Sequence, residues 1–215
     1  MPRKCAKSAP RRVEVDHCQA RLRRHGEEAR AGRKSRRAIR AMAPRAPAGV
    51  LMKTLLIVFH TTTGGTRQMA EAAARGASLA GPGIRPRLLH ATETRPEDVL
   101  TADGYVFATP EMLASMAGLM KDFFERCYYP ALDRITGRPY AMMICAGSDG
   151  TGAARQLERI VTGWRLRAVA EPLILCTHAQ TPDRILAPKT IPADDLKRCE
   201  EMGEALAQGL AMGIF

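Results

Sequence analysis

The chain has 215 residues, 46% of them hydrophobic, and a formal net charge of +11, enough for one domain with a sizeable core, or one domain plus an appendage. No run approaches the roughly 18 apolar residues of a transmembrane helix. Six scattered cysteines without a C-x-x-C pair argue against a disulfide framework and for a reducing, cytoplasmic setting. The charge is uneven: residues 1–51 hold 15 Lys and Arg against 4 Asp and Glu, while residues 52–215 hold 18 of each. The nucleic-acid or anionic-membrane partner that a basic chain suggests is therefore at most a property of the tail.

Residues 1–51 are rich in Arg, Ala and Pro, with almost no large apolar side chains. Such a segment cannot bury enough surface to offset its ordering entropy and reads as a basic, disordered or marginally helical extension. A nucleic-acid-binding arm is a weaker reading. A transit peptide is weaker too, given four acids and only two serines. The preferred reading is an over-extended frame upstream of a natural start at Met52. Residues 52–215 then form one domain.

From Met52 onward, strand and helix patterns alternate. Lys53–Phe59 predicts a first strand, whose unbroken apolar run suits burial on both faces. The turn Thr61-Thr62-Thr63-Gly64-Gly65-Thr66 follows, and Arg67–Ala80 predicts a helix that Gly81-Pro82-Gly83 stops. Ile84–His90 predicts a second strand, which Pro86 confines to an edge. Glu97–Leu100 reads as a helical turn, Gly104–Ala108 as a third strand and Leu119–Tyr128 as a helix. Tyr140–Cys145 is the fourth strand, Ala153–Thr162 a helix, and Ala168–Cys176 contains the fifth strand. Asp194–Leu210 is the closing helix. The alternation argues for an α/β fold, a parallel sheet with helices on both faces. In such sheets ligands bind outside the carboxyl ends of the strands, where the strand order reverses.

The loops after strands one, three and four are the informative ones. In the first, the helix's opening N–H groups and four threonine hydroxyls make a ready anion seat. The same residues also suit an ordinary strand–helix turn with Thr66 as N-cap, and the stretch alone does not decide. The second loop is Thr109-Pro110-Glu111-Met112-Leu113-Ala114-Ser115-Met116-Ala117-Gly118, and the third is Ala146-Gly147-Ser148-Asp149-Gly150-Thr151-Gly152. All three fall at one sheet edge. The P-loop lysine, a G-x-G-x-x-G fingerprint, a G-x-S-x-G elbow and metal-ligand spacings are absent from the sequence.

Thr61–Thr66 resembles the T/S-x-T-G-x-T phosphate loop of flavodoxin-like proteins. Asp103–Pro110 followed by Ser115–Lys121 is similar to the D-x-x-x-F-G-T-P … M-S-G-x-M-K stretch of flavodoxin-fold NAD(P)H:quinone oxidoreductases, of the tryptophan-repressor-binding-protein type. Gly147–Gly152 looks like their third loop. The resemblance spans roughly residues 52–212. It implies a flavodoxin-like, doubly wound, five-stranded parallel sheet of order 2-1-3-4-5. It also implies an FMN whose phosphate sits on Thr61, Thr62, Thr63, Gly64, Gly65 and Thr66. The ring would lie between Thr109, Pro110, Glu111, Met112 and Leu113 on one side and Gly147, Ser148, Asp149 and Gly150 on the other. Backbone amides of Gly147–Gly150 would meet its pyrimidine edge, and NAD(P)H would be the co-substrate. Ala108 and Ala114 depart from the family pattern, where glycine is usual. So does Trp164, which stands where these reductases tend to have a histidine near the flavin.

Glu111 reads as solvated and Trp164 as core, with a site contact the weaker alternative. His60 is either a phosphate or ribityl partner or, preferably, a satisfied strand-end histidine; His178 is an outside candidate for substrate contact. The reading that follows is an FMN oxidoreductase carrying electrons from NAD(P)H to a small quinone-like acceptor. No catalytic side chain is assigned, because the FMN would carry the chemistry; no membrane partner is expected, and there is room for a homo-oligomer. A flavodoxin-type one-electron carrier is the alternative, and a non-catalytic binding module with a basic nucleic-acid-binding arm the weaker one. The neutral body and the lack of aromatic residues in the second and third loops favour the reductase.

Overall fold

The computed structural model describes residues 52–215, so the reading of residues 1–51 lies outside the described residues. The elements run β1 (Lys53–Phe59), α1 (Gly65–Leu79), β2 (Ile84–His90), α2 (Pro96–Thr101), β3 (Gly104–Met112), β4 (Ser115–Met116) and α3 (Gly118–Ala131). They continue as β5 (Pro139–Ala146), α4 (Thr151–Gly163), β6 (Arg167–Ala168), β7 (Leu173–Cys176), α5 (Pro182–Leu186) and α6 (Ala193–Met212).

β1 is paired in parallel on both sides, Lys53 beside Ile84 of β2 and Leu55 beside Gly104 of β3. β5 extends the sheet in parallel from β3, giving the order β2-β1-β3-β5 with β6 and β7 beyond. Alternate residues of β1 feed two separate cores. Leu56 and Val58 join Phe107, Met120, Phe123, Phe124, Leu157 and Trp164 under α3 and α4. Leu55 and Ile57 join Met69, Val106, Met143, Cys199 and Leu206 under α1 and α6. This two-sided burial is why β1 is apolar throughout instead of alternating. α1 and α6 touch backbone to backbone: a Cβ at Gly76 would fall 1.9 Å from the Glu200 carbonyl oxygen, and one at Gly203 would fall 2.0 Å from that of Ala73.

Three details differ from the sequence reading. The fifth strand is split: β5 advances from Tyr140 to Met143 while its neighbour advances from Ala168 to Leu173, so two extra residues loop out. Pro172, which has no N–H for the ladder, ends that excursion. β3 does not stop at Ala108 but runs on to Met112 and turns back as an antiparallel hairpin, with Glu111 beside Met116 and Met112 beside Ser115. The first helix starts at Gly65, two residues before the expected Arg67. Pro86 does lie in the edge strand β2. Among the described residues, no helix is long and apolar enough to cross a membrane.

Candidate functional site

The loop after β1 is built as a nest of donors. Gly64, with φ of 89°, is the N-cap of α1 and makes no side-chain cap. Thr66 is therefore a helical residue and not the N-cap. Thr61 Oγ1 accepts the Gly64 N–H at 3.1 Å. The backbone N–H groups of Thr62, Thr63, Gly65, Thr66 and Arg67 find no acceptor among the described residues. No acidic side chain occupies the first turn of α1, so the helix's positive end is uncompensated there. The Thr66 side chain is buried, and its hydroxyl meets no partner other than the Cys145 thiol. Burial pushes that thiol up, while Thr66 partly offsets the rise. Unmet donors at a helix start suit a dianion such as the FMN phosphate.

The second loop is the β3–β4 hairpin. Its two turn residues, Leu113 and Ala114, have φ of 52° and 57°, the left-handed pair of a primed turn that ordinarily selects Asn-Gly. Leu113 is 101% exposed and Met112 43%. Thr109 faces inward instead: its hydroxyl donates to the Pro110 carbonyl at 3.1 Å and accepts the Ala117 N–H at 3.2 Å. That buried side chain organises the hairpin and offers nothing to a ligand.

The third loop and the helix α4 that it opens are tied to the second loop at three points. Glu111 Oε2 accepts the Gly150 N–H at 2.9 Å. The Ala114 carbonyl oxygen sits so close to Gly152 that a Cβ there would be 2.3 Å away. Gln156 Oε1 accepts both the Ser115 hydroxyl and the Met116 N–H at 2.9 Å. Glu111 is thus bonded and not merely solvated, and the Gly150 amide is spent on it. The N–H groups of Gly147, Ser148 and Asp149 remain without partners among the described residues. Asp149 Oδ2 accepts the Thr151 hydroxyl at 2.6 Å. Burial first, then the Asp149 and Glu111 carboxylates, push the Cys176 thiol up, so no reactive thiolate borders this loop.

His60 Nδ1 and His90 Nε2 are 3.1 Å apart at the ends of β1 and β2. On its other side His90 Nδ1 lies 2.8 Å from Thr92 Oγ1 and 3.4 Å from the Thr92 N–H, and the tautomer of each ring sets which nitrogen of the pair donates. Burial, then the His90 charge, lowers the His60 pKa to about 4; burial and Arg67 lower that of His90, partly offset by Glu93. Trp164 is 1% exposed and its ring lies 5.1 Å from that of Phe124 and 5.9 Å from that of Phe123, so it belongs to the core. His178 is exposed, with φ of 51°. It lines a cleft of about 350 Å³ with Cys176, Arg184, Thr190 and Asp195, to which none of the three loops contributes. Among the described residues, no group of three or more His, Cys, Asp or Glu is placed to hold a metal ion.

Sequence reasoning missed Gln68, Gln156, Lys189 and His90. Gln68 and Gln156 reach partners 121 and 40 residues away, and no local pattern marks them. His90 was within reach, because parallel register sets the ends of β1 and β2 side by side.

A family model described as NADPH-dependent FMN reductase matches residues 52–180, more than half of the chain. A flavodoxin of Aquifex aeolicus (strain VF5) is 35% identical over 102 residues, covering 47% of this chain and 54% of that protein. An NAD(P)H dehydrogenase (quinone) of Acidithiobacillus ferrooxidans is 31% identical over 94 residues, covering 35% of this chain and 47% of that protein. The chain spans about half the length of these curated relatives. A WrbA-like flavodoxin from Agrobacterium tumefaciens superposes with a TM-score of 0.56 at 15% identity, over 75% of this chain and 98% of that one. An archaeal flavodoxin gives 0.59 at 14% identity, over 73% and 98%. At such identities the likeness speaks for the fold alone.

Proposed function

The chain belongs to the NADPH-dependent FMN reductase family, a flavodoxin-like FMN-binding family, and from that premise we propose that it passes electrons from NAD(P)H to a quinone or similar small acceptor. Thr61–Thr66 holds the phosphate, with unpartnered amides and the Thr66 hydroxyl as donors. The ring lies between Pro110–Leu113 and Gly147–Asp149. FMN, when bound, supplies the two-electron chemistry. The chain's part is to hold it, to set its electrostatics and to leave one face accessible. The Gly147–Asp149 amides and the start of α4 favour negative charge at the pyrimidine edge. Met112 and Leu113 offer apolar surface to a planar partner. No side chain is needed as a general acid or base for hydride delivery to a flavin.

The observation that carries this reading is the absence of any aromatic residue in the second and third loops, combined with the exposure of Met112 and Leu113. A ring left uncovered on one face admits nicotinamide or quinone at stacking distance, which hydride transfer requires. The name of the quinone dehydrogenase relative supports it. The alternative, a one-electron carrier, rests on the flavodoxin relative. Anaerobic mixing with NADPH, and separately with NADH, distinguishes them. A reductase loses its flavin band in one two-electron step; a carrier ignores both nucleotides and is reduced by dithionite in two separate steps. The four free thiols among the described residues suit a reducing compartment, and a cytoplasmic location and a homo-oligomer walling the site are part of the same proposal.

A further inference from the structure

An anion nest has a structural cost on its outer side. In a trans peptide the N–H and C=O point in opposite directions, so amides turned toward a phosphate turn their carbonyls away from it. Those carbonyls need donors of their own. In the loop after β1, the Thr63 carbonyl, whose peptide N–H (that of Gly64) is held by Thr61 Oγ1, accepts the Lys189 N–H at 2.8 Å. The Gly64 carbonyl accepts the Gln68 N–H at 3.2 Å and also Gln68 Nε2 at 3.2 Å. Gln68 then reaches across to the segment before α6: its Nε2 donates to the Lys189 carbonyl at 2.6 Å, and its Oε1 accepts the Ile191 N–H at 3.1 Å. The side-chain amide thus pairs with residues 189 and 191 as a strand neighbour would. Gly65 leaves no room between them, since a Cβ there would be 3.3 Å from Lys189 Cβ and 2.8 Å from Cys145 Sγ.

The Lys189 ammonium is no phosphate ligand. It donates to the carbonyls of Arg184, Ile185 and Ala187 at 2.6, 2.9 and 2.7 Å, closing the end of α5. Its charge anchors the 184–189 segment, and its backbone meets the loop.

We propose that Gln68 is a positioning residue for the phosphate loop: by bonding Gly64, Lys189 and Ile191 together it holds the Gly64–Gly65 peptide with the unpartnered Gly65 N–H toward the anion. The proposal rests on the reading that Thr61–Thr66 seats the FMN phosphate. Its test compares FMN with riboflavin, which lacks the phosphate, by titration of the apoprotein. In the wild type FMN should bind much more tightly than riboflavin. Gln68→Ala should weaken FMN at least tenfold and riboflavin less than about twofold, with the unliganded melting temperature measured alongside. Should that variant not fold, Gln68→Met, which keeps length and bulk, carries the same comparison. A wild type that binds both flavins equally would overturn the phosphate seat itself. A wild type that discriminates, with a variant that discriminates just as well, would overturn the role of Gln68 and leave the seat standing. A merely structural glutamine would weaken both flavins together, and that outcome also counts against the proposal.

Discussion

Glu111 Oε2 accepts the backbone N–H of Gly150 at 2.9 Å, joining the end of β3 to the N-cap of α4. The two loops proposed to flank the flavin ring are therefore one mechanical unit. The other carboxylate oxygen is buried without a partner, an arrangement that leaves an acceptor unmet.

Removing the tie should loosen that unit. A hydrogen bond to a charged acceptor contributes about 1.5–3 kcal/mol, and partial exposure of Glu111 brings the expectation toward the lower end. Glu111→Ala should lower the melting temperature by a few degrees and weaken FMN several-fold. Glu111→Gln keeps an acceptor for Gly150 and removes the half-buried charge, so it should melt close to the wild type. Thermal scans with and without FMN check both; an unchanged Glu111→Ala protein would show that the tie contributes nothing.

The histidine pair makes stability depend on pH. His60 titrates near 4 in the folded protein because burial disfavours its charged form, whereas an unfolded chain titrates near 6.5. As pH falls from about 6.5 toward 4, the unfolded chain takes up a proton that the folded one refuses. Stability is thus lost across that window and levels off below it. With the shift discounted for partial exposure, the loss is on the order of 2 kcal/mol. His60→Gln/His90→Gln should flatten this part of the profile; carboxylates contribute their own slope, so the difference between the two proteins is the quantity to read. Parallel profiles would deny the pair any role.

The fold was legible because β1 announces two-sided burial in five consecutive apolar residues, and because each helix pattern falls between strand patterns. What stayed hidden was long-range or local in an unsignalled way. Pro172 gave a cue to the split fifth strand. The β3–β4 hairpin gave none, since Leu113-Ala114 carries no turn chemistry and still adopts the left-handed pair. The phosphate loop stood out by its threonines and glycines. The residues bracing it, Gln68 and Lys189, could not stand out, because they act through backbone groups that are distant in sequence. Glu111 was misread as solvated for the same reason: its partner is an amide, and amides have no signature in the sequence.

Thr66 should show opposite effects on folding and on binding. Its buried hydroxyl has only the Cys145 thiol as a weak partner in the unliganded protein, and a poorly satisfied buried group costs up to about 1–3 kcal/mol. Thr66→Val keeps the shape and removes the hydroxyl. The unliganded protein should therefore melt a few degrees higher while FMN affinity drops about tenfold. Riboflavin affinity should hardly move. Calorimetry of the apoprotein and flavin titration give the two numbers; a variant that is less stable and binds FMN as before would show that the hydroxyl has another partner.

The hairpin tip separates strain from recognition. Leu113 and Ala114 occupy left-handed backbone at φ of 52° and 57°, a conformation that costs non-glycine residues about 1–3 kcal/mol each. Leu113, fully exposed, gains nothing from burial in return, which points to a use outside the fold. Ala114→Gly relieves one strained position and keeps the leucine, so it should raise the melting temperature by a few degrees with KM for a quinone acceptor unchanged. Leu113→Asn/Ala114→Gly installs the dipeptide the turn prefers and should be more stable still. It also removes the apolar surface next to the proposed ring site. If that surface receives the acceptor, KM for a hydrophobic quinone should rise several-fold. The rate of flavin reduction by NAD(P)H, followed alone by stopped flow, should stay within about twofold. A double variant with unaltered KM would leave Leu113 without a part in acceptor binding, whereas equal damage to both half-reactions would mean that the hairpin shapes the flavin site and not the acceptor.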